Sequence, residues 1–433
     1  MENNREKRPA RKMIVKKKNS VRRESLANEN TAQKDRRNTS VSEPKNTQTD
    51  GDFKRCPVYK KCGGCQLQNM DYKKQLSWKQ GRCVTLLGKF ARVEEIIGMN
   101  EPYHYRNKVQ AAFGVNSGRA IVSGVYQSST HRIVPIDSCM TEDKKADEII
   151  VSIRKMLKDF KLTAYDERAE RGFLRHVLVK RGFVTNEIMV VLVTSTPVFP
   201  AKNHFVKALL KKHPEINTIV QNINDKFTSM LLGKVEKILY GSGTITDELC
   251  GYKFRISAKS FYQINPVQTE ILYKTAIDYA DLTGEENVLD AYCGIGTIGI
   301  VASKKAKNVM GVEVNKDAVR DAIANAKISK VKNIYFYAAD ATEFMADMHR
   351  EQETCDVVFM DPPRAGSTEE FIKSMCELAP KKIVYISCNP ETLARDLASI
   401  KAKGYEVKKI QPVDMFPHTN HVECVVLMSR AQG

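Results

Sequence analysis

From about Gly251 onward the chain alternates short β-rich apolar runs with amphipathic stretches, and this alternation constrains the fold more than any other feature. Strands are expected at 287–291, 309–314, 334–338, 356–361 and 383–387, with two more near 405–410 and 423–428. Parallel strands need long crossover connections, so repeated strand–helix units imply a parallel sheet covered by helices. The reading is an α/β, Rossmann-like domain over 251–433. No helical pattern separates the last two strands, so a late antiparallel strand is expected.

The first strand runs into VLDAYCGIGTIGIVA, where Gly294, Gly296 and Gly299 spell G-x-G-x-x-G and Glu313 closes the next strand. Glycines let backbone approach a ligand closely, and a carboxylate at the second strand end accepts from ribose hydroxyls. The loop therefore predicts a nucleotide-containing cofactor. Alone it suits NAD as well as S-adenosylmethionine, and a chance glycine-rich turn is the plainer alternative. Asp290 and Cys293 crowd the loop, and Tyr292 is placed to lie against the cofactor. Asp340 ends the third strand, where a carboxylate accepts from an adenine amino group. Asp361-Pro362-Pro363-Arg364 ends the fourth. Four successive strand ends thus face one crevice with polar groups, which favours S-adenosylmethionine.

The fifth strand ends on a thiol. In KKIVYISCNPETLARDL the apolar run stops at Ser387, Cys388 follows, and Asn389-Pro390 turns the chain into a helical stretch. An isolated cysteine is often core packing, but open α/β sheets keep their sites at the carboxyl ends of strands. Asp-Pro-Pro suits methylation of an exocyclic amine, a reaction that needs no thiol at the next strand end. Methylation of a pyrimidine carbon does need one. A thiolate added to C6 of uracil makes an enolate whose C5 attacks an electrophilic methyl group. A base must then remove the C5 proton so that elimination frees the enzyme. Cys388 supplies the thiol. Glu423, in HTNHVECVVLMSR, supplies the base, since Val422, Cys424, Val425 and Val426 should desolvate it and raise its pKa. The alternative is an edge-strand glutamate facing solvent. His418 and His421 are assigned no chemistry.

KRCPVYKKCGGCQLQ sets Cys56, Cys62 and Cys65 at C-x5-C-x2-C spacing. Three thiols on a short glycine-containing loop can converge on one centre. Zinc takes four ligands, often as two C-x2-C pairs, and fits the wide first gap poorly. An iron–sulfur cluster takes four thiolates and tolerates a distant fourth. Cys139, in PIDSCMTED, is the leading fourth ligand and Cys83 the alternative.

The 433 residues carry 69 Lys and Arg against 51 Asp and Glu, a formal charge of +18. That excess favours a polyanionic partner, nucleic acid above all. Residues 1–52 have no aromatic residue and few aliphatics, so they predict a disordered basic arm. Residues 53–250 read as a central α+β domain, with strands at 108–113 and 188–193 and a helix over 146–160. Lys108, Arg119, Arg132, Arg168, Arg171, Arg175 and Lys180 make it a candidate RNA surface. No apolar run is long enough to cross a bilayer, and no apolar segment follows the N-terminal charges. The expectation is a cytoplasmic chain with no membrane partner. There, 11 cysteines argue for metal or catalysis rather than disulfides.

Together these motifs resemble the bacterial RNA 5-methyluridine methyltransferases, specifically the 23S rRNA uracil-C5 methyltransferases. The matching stretches are C-P-x4-C-G-G-C at 56–65, F-Y-Q-I-N at 261–265, D-A-Y-C-G-I-G-T, D-P-P-R-A-G, S-C-N-P-x-T-x-A-R-D and H-x-E-C, in the family's order. The resemblance implies a seven-stranded class I methyltransferase domain over 251–433, joined to a central domain that bears an iron–sulfur cluster loop. It implies S-adenosylmethionine-dependent formation of 5-methyluridine in 23S rRNA, with Cys388 as nucleophile and Glu423 as base; a monomer is expected. It also implies a [4Fe–4S] cluster on Cys56, Cys62, Cys65 and Cys139, and cofactor contacts from Gln263, Tyr292, Glu313 and Asp361. Asp340 rests on the strand-end argument. The tRNA-directed relatives lack the cluster, so its cysteines point to rRNA. Some members begin with a TRAM-type β-barrel, which residues 1–52 cannot form. The alternatives are the same reaction on tRNA and a non-catalytic RNA-binding protein with a methyltransferase fold. An NAD oxidoreductase would leave the Cys-Asn-Pro and Asp-Pro-Pro turns unexplained.

Overall fold

Side-chain caps mark where several helices begin. Asn265 precedes Pro266 and accepts from the Gln268 N–H, while Asn389 precedes Pro390 and accepts from the Glu391 N–H. Asp71, Asp143, Asn315, Asp340 and Thr368 cap in the same way. The computed structural model describes residues 55–431 apart from 129, 168 and 227–229. The expected basic arm over 1–52 and the basic residue Arg168 lie outside the described residues.

The elements begin with α1 (Tyr59–Cys62), α2 (Tyr72–Leu87), β1 (Lys108–Val115), β2 (Ile121–Tyr126), β3 (Ile133–Pro135), α3 (Lys144–Asp159), β4 (Leu174–Arg181) and β5 (Ile188–Thr194). Next come α4 (Lys202–Lys212), β6 (Ile216–Ile223), β7 (Val235–Tyr240), β8 (Thr244–Leu249), β9 (Tyr252–Ser257) and α5 (Pro266–Ala280). The glycine loop sits between β10 (Asn287–Ala291) and α6 (Thr297–Ala302), followed by β11 (Asn308–Glu313), α7 (Lys316–Ile328), β12 (Ile334–Ala338) and α8 (Ala341–Arg350). The chain continues with β13 (Val357–Met360), α9 (Glu369–Leu378), β14 (Lys382–Ser387), α10 (Pro390–Ala402), β15 (Tyr405–Val413) and β16 (Glu423–Arg430).

Among the described residues the strands form two seven-stranded sheets and the β8–β9 hairpin. The first sheet runs β3-β2-β1-β4-β5-β6-β7 and is antiparallel except for the β5/β6 pair, which α4 connects. Every residue of β5 is buried. Val190 and Leu192 pack towards α3 and α4, while Met189, Val191 and Val193 join the core that the hairpin and α5 share. The second sheet runs β12-β11-β10-β13-β14-β16-β15, parallel except that β16 is antiparallel to both neighbours. Its central strands are continuous apolar runs because helices cover both faces. One face packs α5 through Leu272 and Ala276, and the other packs α8, α9 and α10 through Met345, Phe371 and Leu393. Helix α2 packs on this second face through Cys83 and Leu87, although it precedes the first sheet in sequence.

Two basic residues expected on an RNA surface are interior. Arg175 donates to the Asn224 and Lys226 carbonyls, and Lys180 to the Ser257 and Ser260 carbonyls. Burial pulls the Lys180 amine down to about 7. Both cations serve backbone acceptors that would otherwise be buried unpaired, which sequence spacing does not reveal. Arg119, Arg132 and Arg171 are exposed, and Lys108 is half-buried with Nζ 5.7 Å from the Phe261 ring centre. Among the described residues no helix is long and apolar enough to cross a membrane.

Candidate active site

The second sheet's order reverses between β10 and β13, which opens a crevice at the carboxyl ends of the strands. The β10–α6 loop fills it with backbone. Tyr292, Gly294 and Gly296 have φ of 65°, 55° and 83°, the left-handed region. A side chain at Gly296 would meet the Phe336 ring at 2.7 Å, and one at Gly299 would meet Asp290 Oδ2 at 2.9 Å. Packing therefore requires glycine at both positions, and at Gly296 the left-handed turn requires it as well. Asp290 is fully buried, and its Oδ2 accepts from the Gly299 N–H at 2.7 Å. Its Oδ1 is buried without a partner. Burial, opposed by the Gly299 N–H, pushes the Asp290 carboxyl up to about 8, with Asp361 and Glu313 adding to the rise.

Glu313 Oε2 accepts from the Gly294 N–H at 3.2 Å and Oε1 from the Asn315 N–H at 2.8 Å. The second strand end is thereby tied to the first loop. Asp340 is exposed, and its Oδ1 accepts from the Thr342 and Glu343 N–H groups as the cap of α8. The Tyr292 ring stacks on Phe371 at 4.9 Å. Gln263 lies between Phe261 and Asn265 in a segment pinned to the first sheet, where Asn107 donates to its carbonyl. An acid with an unpartnered buried oxygen, a loop with bare glycine backbone at 294 and 296 and a carboxylate on the next strand suit a nucleoside-bearing cofactor.

Cys388 and Glu423 come together through strand pairing. Ser387 pairs with Cys424 as the last pair of the β14/β16 ladder, and Cys388 and Glu423 each follow one residue beyond it. β16 lies inside the sheet, and Glu423 is 4% exposed rather than facing solvent from an edge. Burial raises its carboxyl well above the usual range, Asp361 adds to this, and Arg364 opposes it. Burial likewise pushes the Cys388 thiol up to about 11, with Glu423 and Asp361 raising it and Arg364 lowering it. Burial also lifts Asp361 to about 7. One thiol, two carboxyls and one guanidinium thus form one electrostatic cluster at the end of β13, β14 and β16. His418 and His421 are both driven down to about 4 by burial. His418 is a structural residue, bonded to Gln75 and to the Pro102 carbonyl.

The cysteine loop leads into Leu67, whose N–H donates to the His418 carbonyl at 2.9 Å. Cys56, Cys62, Cys65 and Cys139 line one cavity, and the Thr141 hydroxyl is 3.4 Å from Cys139 Sγ. Cys83, the alternative fourth ligand, is fully buried in α2 with Sγ 3.8 Å from Cys424 Sγ. Among the described residues, no three His, Cys, Asp or Glu side chains converge as ligands of a metal ion. The metal centre expected from the spacing is therefore not shown, although all four expected thiols reach one cavity. Burial raises Cys65 to about 11 and Cys139 to about 12, so they are neutral thiols that would release protons to bind metal. Arg106 sits beside Cys62 and Cys65, its Nε buried with no partner. A cation near several thiols suits an anionic cluster.

Sequence reading missed the contribution of α2. Its Lys79, Arg82 and Gln75 reach the segment that leads into Glu423, and no local pattern announces contacts so distant in sequence.

Residues 71–431 match the tRNA (uracil-5-)-methyltransferase family. An uncharacterized RNA methyltransferase of Oceanobacillus iheyensis is 45% identical over 376 residues, covering 86% of this chain and 81% of that protein. One from Clostridium acetobutylicum is 44% identical over 382 residues, covering 87% and 83%. The crystal structure of Pyrococcus abyssi tRNA (uracil-54, C5)-methyltransferase in complex with S-adenosyl-L-homocysteine is similar at 29% identity. It covers 84% of this chain and 85% of that one with a TM-score of 0.71. By its α/β fold, the match over residues 71–431 and these likenesses, the chain belongs to the tRNA (uracil-5-)-methyltransferase family of S-adenosylmethionine-dependent RNA methyltransferases.

Proposed function

We propose that the chain methylates C5 of uridine in 23S rRNA, with Cys388 as nucleophile and Glu423 as general base. The observation that supports this reading is the β14/β16 ladder, which ends one residue short of Cys388 and of the desolvated Glu423, whose charge raises the Cys388 thiol. Cys388 releases its proton to solvent, its thiolate Sγ bonds to C6 of a uracil extruded from its stack, and the C5=C6 electron pair moves into an enolate. When bound, S-adenosylmethionine would supply the electrophilic methyl group that C5 takes. Glu423 then takes the C5 proton, the Sγ–C6 bond breaks and the C5=C6 bond re-forms. Arg364 favours both the thiolate and the carboxylate, as the direction of its effect on each group requires. Gln263, Tyr292, Glu313, Asp340 and Asp361 are the proposed cofactor contacts, with Asp340 already engaged as a helix cap.

Cys56, Cys62, Cys65 and Cys139 would hold a [4Fe–4S] cluster, whose chemistry here is a covalent cross-link between the loop and the 139 segment. The proposed setting is a cytoplasmic monomer. The C-P-x4-C-G-G-C stretch supports rRNA. A second reading, the same reaction on tRNA, is favoured by the likeness to the Pyrococcus abyssi tRNA enzyme.

The test is covalent trapping. Anaerobically purified protein is incubated with S-adenosylmethionine and 5-fluorouridine-substituted 23S rRNA or tRNA, then digested for mass spectrometry. Fluorine cannot leave C5 as a cation, so an adduct on Cys388 is expected with the rRNA. An adduct with tRNA alone moves the substrate to the second reading. No adduct with either, while cofactor still binds, overturns the mechanism.

A further inference from the structure

One side chain of α2 holds the loops behind both Cys388 and Glu423. Arg82 donates to the Glu391 carboxylate through Nε at 3.1 Å and through Nη2 at 2.6 and 2.7 Å. Its Nη1 donates to the Asn420 carbonyl at 2.6 Å. Glu391 lies in the first turn of α10, just past Cys388, and Asn420 lies just before Glu423. The side chain is 17% exposed and its guanidinium lies 5.8 Å from the Trp78 ring centre, so it is held in place rather than offered to solvent. In a planar fork the nitrogens that bind the carboxylate and the one that binds the carbonyl are separate and fixed in angle, whereas a lysine offers a single ammonium point.

The segment from Asp414 to Val422 has no regular structure of its own. Lys79 fixes the Phe416 carbonyl, Tyr105 the Pro417 carbonyl, and Gln75 the His418 N–H. These contacts secure its first half. In the last stretch before Glu423 the His421 N–H donates to the Thr419 hydroxyl, and the contacts from outside the segment are Arg82 at the Asn420 carbonyl and Gln66, whose Oε1 accepts from the Asn420 N–H at 3.3 Å. Of these, Arg82 also reaches the nucleophile's loop.

We propose that Arg82 is a positioning residue that keeps the nucleophile's loop and the base's loop in one register, so that Glu423 meets the C5 proton of the Cys388 adduct. This rests on the roles given to Cys388 and Glu423 above. Displacing a catalytic group by a fraction of its reach slows the step that needs it without weakening substrate binding. Proton removal is the step that needs both loops aligned.

The experiment uses full-length Arg82→Lys and Glu391→Gln protein with RNA carrying ordinary uridine and, separately, 5-fluorouridine. In Arg82→Lys, kcat is expected to fall ~10- to 100-fold with KM for RNA changed less than about twofold. The 5-fluorouridine adduct should still form on Cys388, while a covalent protein–RNA species builds up on ordinary uridine because release is slowed. Glu391→Gln keeps the shape, weakens the fork, and should shift the same readouts by less. Wild-type kcat in both variants overturns the inference. So does a loss of activity matched by loss of folded protein, with normal turnover by what remains folded. A raised KM with unchanged kcat would instead make Arg82 an RNA phosphate contact. Wild-type protein run in parallel separates the two levels. If it forms no adduct, the underlying mechanism falls and this inference with it; if it does and Arg82→Lys behaves normally, only the role of Arg82 falls.

Discussion

Cys388 and Glu423 are neighbours across the open end of the β14/β16 ladder, one step beyond the Ser387–Cys424 pair. Because β16 runs antiparallel to the rest of the sheet, its first residue arrives where β14 has its last. A parallel strand in the same place would put its first residue at the far end. The single antiparallel strand is thus what brings a carboxyl at a strand start to a thiol at a strand end. Glu423 raises the pKa of the Cys388 thiol, and the arrangement makes several measurable demands.

Glu423→Gln should retain cofactor binding and adduct formation but lose release. A covalent protein–RNA species should accumulate with ordinary uridine, and turnover should fall by roughly 10²–10⁴. Gel shift under denaturing conditions reads the species directly. Cys388→Ala should show neither species nor turnover while still binding S-adenosylhomocysteine by calorimetry.

The free thiol should titrate high. Iodoacetamide alkylation of Cys388 is expected to rise steadily with pH towards about 11, since burial and then Glu423 and Asp361 disfavour the thiolate. In Glu423→Gln one of those neighbours is gone, so the midpoint should move down. An upward move would mean that Glu423 does not act on the thiol.

Asp290 titrates from 3.8 as a free carboxyl to about 8 when folded, because burial disfavours its charge. Between those values the folded chain holds a proton that the unfolded chain has lost. Stability attributable to this group is therefore greatest at low pH and declines as pH rises through the window. In Asp290→Asn the amide oxygen would still accept from the Gly299 N–H, without an ionisation cost. Thermal melting of this variant, free of cofactor, should accordingly lose less between pH 5 and pH 8 than the parent does.

Anaerobic purification should yield about four irons and four sulfides per chain if the four thiols hold a cubane cluster. Cys139→Ala should lose them, whereas Cys83→Ala should keep them because Cys83 lies against Cys424 instead. Iron retained in Cys139→Ala and lost in Cys83→Ala would reverse the ligand assignment.

Lys79 and Asp414 form a fully buried ion pair with Nζ 2.6 Å from Oδ1. Lys79→Met leaves Asp414 with only the Tyr72 hydroxyl on its carboxylate. A loss of about 3–5 kcal/mol in denaturant unfolding is expected. Replacing both partners by apolar residues should recover much of it, as a paired deletion leaves no uncompensated charge.

The order of strands and helices from residue 287 to the C-terminus was determined by local chemistry: apolar runs of strand length, asparagine and aspartate caps, prolines in first turns and glycines where φ is positive. Each signal lies within a few residues of what it controls, so it can be read without knowing the rest of the fold. The same holds for Cys388, placed at a strand end by the Asn389-Pro390 helix start that follows it. Burial and pairing were decided elsewhere. Arg175 and Lys180 look like surface cations until the segments at 224–226 and 257–260 fold over them. Glu423 reads equally as an edge residue until β16 inserts between β14 and β15. Arg82 has no distinguishing neighbours at all; its partners at Glu391 and Asn420 are brought to it only when α2 docks on the second sheet. Those contacts depend on which apolar faces find each other, a property of the whole core that no local stretch carries.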